Sequence, residues 1–392
     1  MEWHIITGEY PPKWGGVSDY TYRVSQEFTR IGDQVHVWAP ASQEETAQPE
    51  TANVHALPSG FGWRWLRALD RQLRCFDKPR NILIQYVPHM YGWKSMNLAF
   101  CFWICLQRKH NVLVMFHEVA FPFRRGQRIR HALLASIHRF MAWTILHSVK
   151  HSFTSTEPYI ALLQRLGNPR TPISLLRICS NLPDSDREIP SVRDAHAATG
   201  LFTVGIFSNF AADLRSVLEP VIGCVLKNPK IEVLLLGPGE SFRQSLAGKY
   251  PNAAGRIRST GRLRVDQIGE HMRRSDALLQ LYPDGASAAR GTLVGAMASG
   301  VPVVTTSGPA TDQLLLRSQA MLFPRQSPES IRDAIELLLE NPVLAREIAG
   351  RAQQLYRESF QPAVIVSRIR DAVYGSEGGS KELAREEPAL QD

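Results

Sequence analysis

The strongest constraint on this sequence is an alternation of strand-type and helix-type segments that occurs twice along its 392 residues. Strands that alternate with helices form parallel sheets covered by helices on both faces. A stretch rich in proline and charge, Asn181–Arg193, separates the two series and has the composition of a linker. A chain of this length is also too long for one typical core. The sequence therefore predicts two doubly wound α/β domains in tandem.

The strands are predicted from short apolar runs bounded by turn residues. In the first half they are Trp3–Thr7, Gln34–Pro40, Asn81–Val87, Asn111–Phe116 and Lys150–Thr154. In the second half they are 201–208, 231–237, 256–262, 276–283, 300–306 and 320–324. This places the first domain at 1–185 and the second at 194–358. The charged tail at 377–392 has the composition of a disordered segment.

Charge is distributed unevenly along the chain, whose net charge is +8. Residues 51–150 contain 15 Lys and Arg against 3 Asp and Glu. Aromatic residues are interleaved with the basic clusters at 60–75 and 121–140, which favours contact with the anionic surface of a membrane. A solvated basic face is the alternative. No nucleic-acid-binding motif accompanies the charge, so we expect no nucleic-acid partner.

The compartment is predicted from cysteines and leader-type segments. The five cysteines form no CxxC pair, as is typical of free thiols in a reducing cytoplasm. The chain opens without a signal-peptide pattern, and its longest membrane-like run, Leu98–Gln107, is too short to span a bilayer. We therefore expect a cytoplasmic protein, peripheral to the inner face of the membrane.

The run from Leu278 to Thr306 carries the clearest chemistry. It predicts a buried strand, a loop of small residues, a helix and a second buried strand. Arg290 and Gly291 fall at the helix start, where free N–H groups and a guanidinium suit an anion such as phosphate. The pair Gly15-Gly16 similarly precedes a helix in the first domain. An ordinary βαβ unit with a solvated arginine, and a flexible Gly-Gly turn, are the alternatives.

Five segments, in order along the chain, resemble family 4 glycosyltransferases. They are PPKWGGVSDYTYRVSQEFTRIGDQVHVWAP near the start, LLLGPGE at 234–240, STGRLRVDQIGEHMRRSDALLQLYP at 259–283, GAMASGVPVVTT at 295–306 and LENPVLAREIAGRAQQLYRESFQPAVIVSRI at 339–369. The resemblance implies a GT-B fold, in which two Rossmann-like domains face each other across a cleft. It also implies that a C-terminal helix at 361–375 crosses back onto the first domain.

The implied reaction is transfer of a sugar from a nucleotide-diphosphate donor, with retention at the anomeric carbon. The second domain would bind the donor and the first would bind a surface-polysaccharide or glycolipid acceptor. Charge that develops on the departing diphosphate would be stabilised by helix N–H groups and by cationic side chains. The resemblance implies that protein cations stabilise this charge without a divalent metal, so we expect no metal and no separate cofactor.

The chain departs from the family at its paired-glutamate motif. The aligned positions are Ser287 and Gly295, so both carboxylates are absent, and the family's Arg-x4-Lys clamp is missing as well. We therefore expect a divergent member whose catalytic cation is Arg290. The residues predicted to bind the donor are Gly15, Gly16, Ser208, Asn209, Arg215, Gly237, Glu240, Asp284, Gly285, Ser287, Gly291 and Thr292.

The remaining catalytic candidates follow the strand Asn111–Phe116. His117 and Glu118 come at its carboxyl end, where a family histidine contacts the donor sugar. His117 is predicted to bind a sugar hydroxyl and Glu118 to act as a base; a structural strand-capping histidine is the alternative. Three other functions stay open: a nucleotide-sugar epimerase, a phosphorylase, or a catalytically degenerate binding or scaffold subunit.

Overall fold

The computed structural model describes residues 1–13, 15–41, 52–58, 60–123, 126–167, 171–182 and 200–374. The chain divides into two compact units. Unit 1 consists of Met1–Leu176 and Pro362–Asp392, and unit 2 is Arg177–Gln361. The division lies before the predicted boundary at 185, because Leu182 is buried in the core of unit 2. The rest of the predicted linker, 183–193, and the tail at 377–392 lie outside the described residues.

Unit 1 contains a seven-stranded sheet in the order β3-β2-β1-β4-β5-β6-β7, with every pair parallel. Its strands are β1 (Glu2–Ile6), β2 (Gln34–Pro40), β3 (Asn53–Leu57), β4 (Asn81–Tyr86), β5 (Asn111–Phe116), β6 (His151–Thr154) and β7 (Ile173–Leu175). The helices are α1 (Gly16–Arg30), α2 (Trp63–Leu73), α3 (Leu98–Leu106), α4 (Ile129–Leu146) and α5 (Glu157–Leu166). The central strands are continuous apolar runs because helices cover both faces.

Unit 2 contains a five-stranded parallel sheet in the order β10-β9-β8-β11-β12. The strands are β8 (Phe202–Phe207), β9 (Ile231–Leu236), β10 (Ile257–Ser259), β11 (Ala277–Gln280) and β12 (Val303–Thr305). The helices are α6 (Ala212–Val225), α7 (Glu240–Lys249), α8 (Val265–Arg273), α9 (Gly291–Ala298), α10 (Gln313–Arg317), α11 (Pro328–Glu340) and α12 (Pro342–Ser359). Both units are therefore doubly wound, as predicted.

The last helix, α13 (Pro362–Tyr374), belongs to unit 1. Its apolar face, which includes Ile365 and Ile369, is buried, and the helix packs on α1. The side chain of Arg370 lies 3.7 Å from that of Asp33, which follows α1. Two segments of unit 1 that are distant in sequence are thus held together.

Three predicted details differ from the structure. The predicted strand at 320–324 is wrong: Leu322 forms only an isolated bridge to Val304. The edge strands β3 and β7 and the short helix α10 were not predicted. In the part of the chain that the structure describes, no helix is both long enough and apolar enough to cross a membrane.

Candidate functional site

The predicted site residues lie at the carboxyl ends of the central strands of each sheet. In unit 1 the strand order reverses between β1 and β4, and in unit 2 between β8 and β11. Ligands of doubly wound sheets bind beside such switch points. The Gly15-Gly16 loop follows β1, and the loops that contain Ser208 and Arg290 follow β8 and β11. The sheet topology thus brings most predicted donor residues of unit 2 to one edge.

Arg290 is the N-cap of α9 and marks the start of the helix. Its backbone carbonyl accepts hydrogen bonds from the N–H groups of Leu293 and Val294, both at 3.0 Å. Within the described residues, the N–H groups of Gly291 and Thr292 have no acceptor. Two unpaired helix N–H groups beside a guanidinium can bind an anion.

Tyr282 connects this helix start to the end of β11, and the sequence reasoning did not identify it. Its hydroxyl lies 2.7 Å from Oγ1 of Thr292, and the guanidinium of Arg290 lies 5.3 Å from its ring centroid. Burial raises the pKa of Tyr282, so the hydroxyl stays protonated and can donate a hydrogen bond. Tyr282 thereby fixes the position of Thr292 and supports the arginine.

Glycines shape the loops around this site. Gly237 has φ +120°, and an added Cβ would lie 2.3 Å from the carbonyl oxygen of Ser208. Gly285 has φ +97°, and its Cβ would lie 2.4 Å from the backbone nitrogen of Gly308. No other residue tolerates these conformations at such close approach. The two glycines therefore allow the loops after β8 and β9, and those after β11 and β12, to approach each other closely.

Arg215 and Glu240, two of the predicted donor residues, are bound to neighbouring groups of unit 2. Arg215 donates to the carbonyl of Phe210 at 2.6 Å and to Oγ of Ser241 at 3.0 Å. Glu240 forms an ion pair with Arg243 at 2.7 Å, which lowers the pKa of Glu240 through hydrogen bonding. Arg215 thus joins the loop after β8 to α7, while Arg290 lies at the helix start that has open N–H groups.

The space beside Gly295 is filled by another part of the chain. A Cβ at Gly295 would lie 3.2 Å from Cδ1 of Leu182 and 3.7 Å from Oγ of Ser180. Leu182 is buried with Leu293 and Ala296 in one apolar cluster. The position aligned with the second family glutamate is therefore closely packed. The missing carboxylate is visible in the sequence, whereas the leucine that packs at its position is not.

His117 lies at the carboxyl end of β5 and is held by Gln85 of β4. Its Nε2 is 2.7 Å from Oε1 of Gln85, and the edge of the Tyr20 ring packs against it at 5.0 Å. Burial lowers the pKa of His117 to about 3, so the imidazole is neutral at physiological pH. A neutral ring can hydrogen-bond to a hydroxyl but supplies no positive charge. Gln85 was a detectable signal, since it is a polar residue within an apolar strand.

Glu118, the next residue, is exposed and faces solvent. Its Oε2 lies 3.5 Å from Nδ1 of His89, which follows β4. The two side chains form a polar pair at the same sheet edge as His117. Within the residues that the structure describes, no group of three or more His, Cys, Asp or Glu side chains could hold a metal ion.

Comparisons with known proteins address the fold and the family. Residues 199–341 match the family model described as glycosyl transferases group 1. Sucrose-phosphate synthase from Thermosynechococcus elongatus is 15% identical with a TM-score of 0.70, over 97% of this chain and 100% of that chain. WaaG, a glycosyltransferase involved in lipopolysaccharide biosynthesis, is 15% identical with a TM-score of 0.63, over 95% of this chain and 100% of that chain.

A third similar structure is that of Anabaena HepE in complex with UDP and glucose. It is 14% identical with a TM-score of 0.65, over 95% of this chain and 99% of that chain. No curated protein sequence matches the chain. The fold is GT-B. The predicted fold class is thus confirmed, and the family match covers the unit of the GT-B fold that carries Arg290.

Proposed function

We propose that this protein is a retaining glycosyltransferase that uses a nucleotide-diphosphate sugar, and that it is a divergent relative of family 4. The observation that carries the proposal is the start of α9, where Arg290 lies beside the unpaired N–H groups of Gly291 and Thr292. This segment lies inside the region that matches glycosyl transferases group 1. The donor diphosphate would bind there, and stabilisation of its developing charge would lower the barrier.

The proposed acceptor side is unit 1. His117, neutral and oriented by Gln85, would bind a hydroxyl of the transferred sugar, and the pair of Glu118 and His89 would contact the acceptor. The acceptor class that we propose is a surface polysaccharide or a glycolipid. The similarity to WaaG, which acts in lipopolysaccharide biosynthesis, supports this class.

Turnover of a sugar nucleotide tests the proposal. The purified protein would be incubated with UDP-, GDP- and ADP-sugars in the presence of acceptor lipids or glycans, and release of nucleoside diphosphate would be measured. Arg290→Ala should lower turnover by about a hundredfold or more, because one such donor typically contributes about 3–4 kcal/mol to the barrier. Arg264→Ala, which removes an exposed arginine paired with Asp266, is the matched control. Unchanged turnover in Arg290→Ala would refute the assignment.

We also propose peripheral contact with an anionic membrane on the cytoplasmic side. The outer surface of α4 exposes Ile129, Leu133, Phe140 and Trp143 along one stripe, and Ile129 is 88% exposed. On α3, which packs on α4, Leu106 is 74% exposed. Exposed apolar side chains of this extent favour an interaction surface.

Basic residues accompany this apolar surface. The exposed arginines of and beside α2 are Arg64, Arg67, Arg71 and Arg74. Between Lys78 and Thr156 the only acidic residue is Glu118. Cosedimentation with vesicles tests the proposal: binding should increase with the fraction of anionic lipid and fall in a Phe140→Ser, Trp143→Ser double variant. Equal binding to neutral and anionic vesicles would contradict it.

A catalytically degenerate binding or scaffold subunit is the second candidate function. The observation that favours it is the packing of Leu182 beside Gly295, because a carboxylate side chain at that position would require the leucine to move. Thermal-shift measurements with the same sugar nucleotides discriminate between the two. A bound ligand stabilises the folded state, so an absence of stabilisation by every nucleotide, together with no turnover, would favour the scaffold.

A further inference from the structure

The guanidinium of Arg290 is paired with the carboxylate of Asp284. Its Nη2 donates to both carboxylate oxygens of Asp284, at 2.6 and 2.8 Å. The arginine side chain is 42% exposed and the aspartate side chain 53% exposed. The cation at the start of α9 therefore has a neutralising partner, and an incoming anion meets a pair whose net charge is zero.

The backbone of Asp284 is fixed by contacts with the loop that follows β12. The carbonyl of Asp284 accepts a hydrogen bond from the N–H of Ala310 at 2.9 Å. Gly308 packs so closely that a Cβ there would lie 2.6 Å from the same carbonyl oxygen. The backbone that carries the carboxylate is therefore fixed near the helix start, and the pair can open by rotation of side chains alone.

We propose that Asp284 competes with the donor's diphosphate for Arg290 and so limits the affinity of the site. The inference rests on the proposed donor site at the start of α9. Carboxylate and phosphate oxygens bind the same N–H groups of a guanidinium, so either anion satisfies the cation. A diphosphate that binds beside the open N–H groups of Gly291 and Thr292 displaces the Asp284 carboxylate.

The exchange also gives Asp284 a role when the product leaves. After sugar transfer, the nucleoside diphosphate carries an additional negative charge at the bond that was broken. The Asp284 carboxylate repels that charge and recovers Arg290 as the diphosphate departs. Asp284 thus acts through Arg290, as a positioning residue that weakens binding of donor and product.

Binding measurements on Asp284→Asn test the inference. Isothermal titration would be carried out with UDP, GDP and ADP and with the corresponding nucleosides, in Mg²⁺ and in EDTA. We expect the variant to bind the preferred diphosphate about two- to fivefold more tightly, because an exposed ion pair is a weak competitor. The affinity for the nucleoside should not change, and Asp284→Glu should restore the wild-type affinity. Asp266→Asn, which breaks the exposed pair with Arg264, is the matched control.

The outcomes separate the two proposals. If neither wild type nor variant binds any diphosphate, the proposed donor site is wrong. If the wild type binds a diphosphate and Asp284→Asn binds it equally or more weakly, only the competition is refuted. Weaker binding confined to Mg²⁺ would instead identify Asp284 as a metal-bridging residue and would also overturn the inference. Thermal unfolding of each variant verifies that it is folded.

Discussion

His4 should make unit 1 sensitive to acid. The side chain lies on β1 and is fully buried, beside the ring of Phe76 at 4.7 Å. Its Nδ1 accepts a hydrogen bond from Nε1 of Trp38 at 3.3 Å. Within the described residues, Nε2 has no partner. Burial, and to a smaller extent His36 and the other nearby cations, lower the pKa of His4 to about 3 from 6.5.

The sign of the effect follows from proton binding. Since the pKa of His4 is lowered in the folded state, the unfolded state binds more protons below pH 6.5. The free energy of unfolding therefore falls as the pH decreases from 6.5 towards 3. The slope is about 1.4 kcal/mol per pH unit. Between pH 7.5 and pH 5.0, His4 alone should account for a loss of about 2 kcal/mol.

Urea unfolding monitored by tryptophan fluorescence measures this loss. All eight tryptophans lie between Trp3 and Trp143, so the signal reports on unit 1 alone. The variant His4→Asn keeps an acceptor for Trp38 but cannot be protonated. It should lose about 2 kcal/mol less than the wild type between the two pH values.

Phe76→Leu is the control, because it weakens packing around His4 without removing a titratable group. It should lower stability at both pH values and retain most of the pH dependence. Other buried histidines, such as His110 and His151, whose pKa values burial lowers to about 4, remain in both variants. Equal losses of stability by the wild type and His4→Asn between pH 7.5 and pH 5.0 would show that His4 does not cause the acid sensitivity.

Three further predictions concern the site. Gly237→Ala should destabilise unit 2 by about 2–4 kcal/mol, since φ is +120° and the added Cβ would lie 2.3 Å from the carbonyl oxygen of Ser208. Gly248→Ala is the control, because this helical position is open. It should raise the melting temperature instead. Gly295→Glu should cost at least about 3 kcal/mol, because an unpaired carboxylate would be buried against Leu182; a thermal unfolding curve like that of the wild type would contradict this packing argument. Because the pKa of His117 is about 3, the pH profile of kcat/KM should show no inflection from this residue between pH 5 and 8; an inflection that disappears in His117→Asn would contradict a neutral ring.

The fold could be predicted from the sequence because its central strands are mostly apolar runs, such as NILIQY in β4 and IEVLLL in β9. The edge strands lack this signal. In β3 only Leu57 is buried, so this strand carries no apolar pattern that would distinguish it from a loop. Conversely, Ala320 and Met321 are buried, yet the segment 320–324 takes part in only one bridge. The apolar residues of this segment therefore indicate burial and not the pairing of a strand.

The site could be predicted only where local sequence determines position. The start of α9 follows from the loop of small residues before Gly291, and Arg290 was predicted from it. The pairing of Arg290 with Asp284 depends on how the loop between them turns, which the sequence does not specify. The contact of Leu182 with Gly295 joins residues that are far apart in the chain, and no local sequence pattern predicts it.

The discontinuous composition of unit 1 has a consequence for folding during synthesis. The apolar face of α13 is needed to cover α1, yet residues 177–361 are translated before it. Domains generally fold as units while the chain is made. Unit 2 can therefore complete its core on the ribosome while unit 1 still exposes the surface that α13 will cover. A released chain truncated after Gln361 should carry a folded second unit and a first unit that is open to proteolysis and to chaperones.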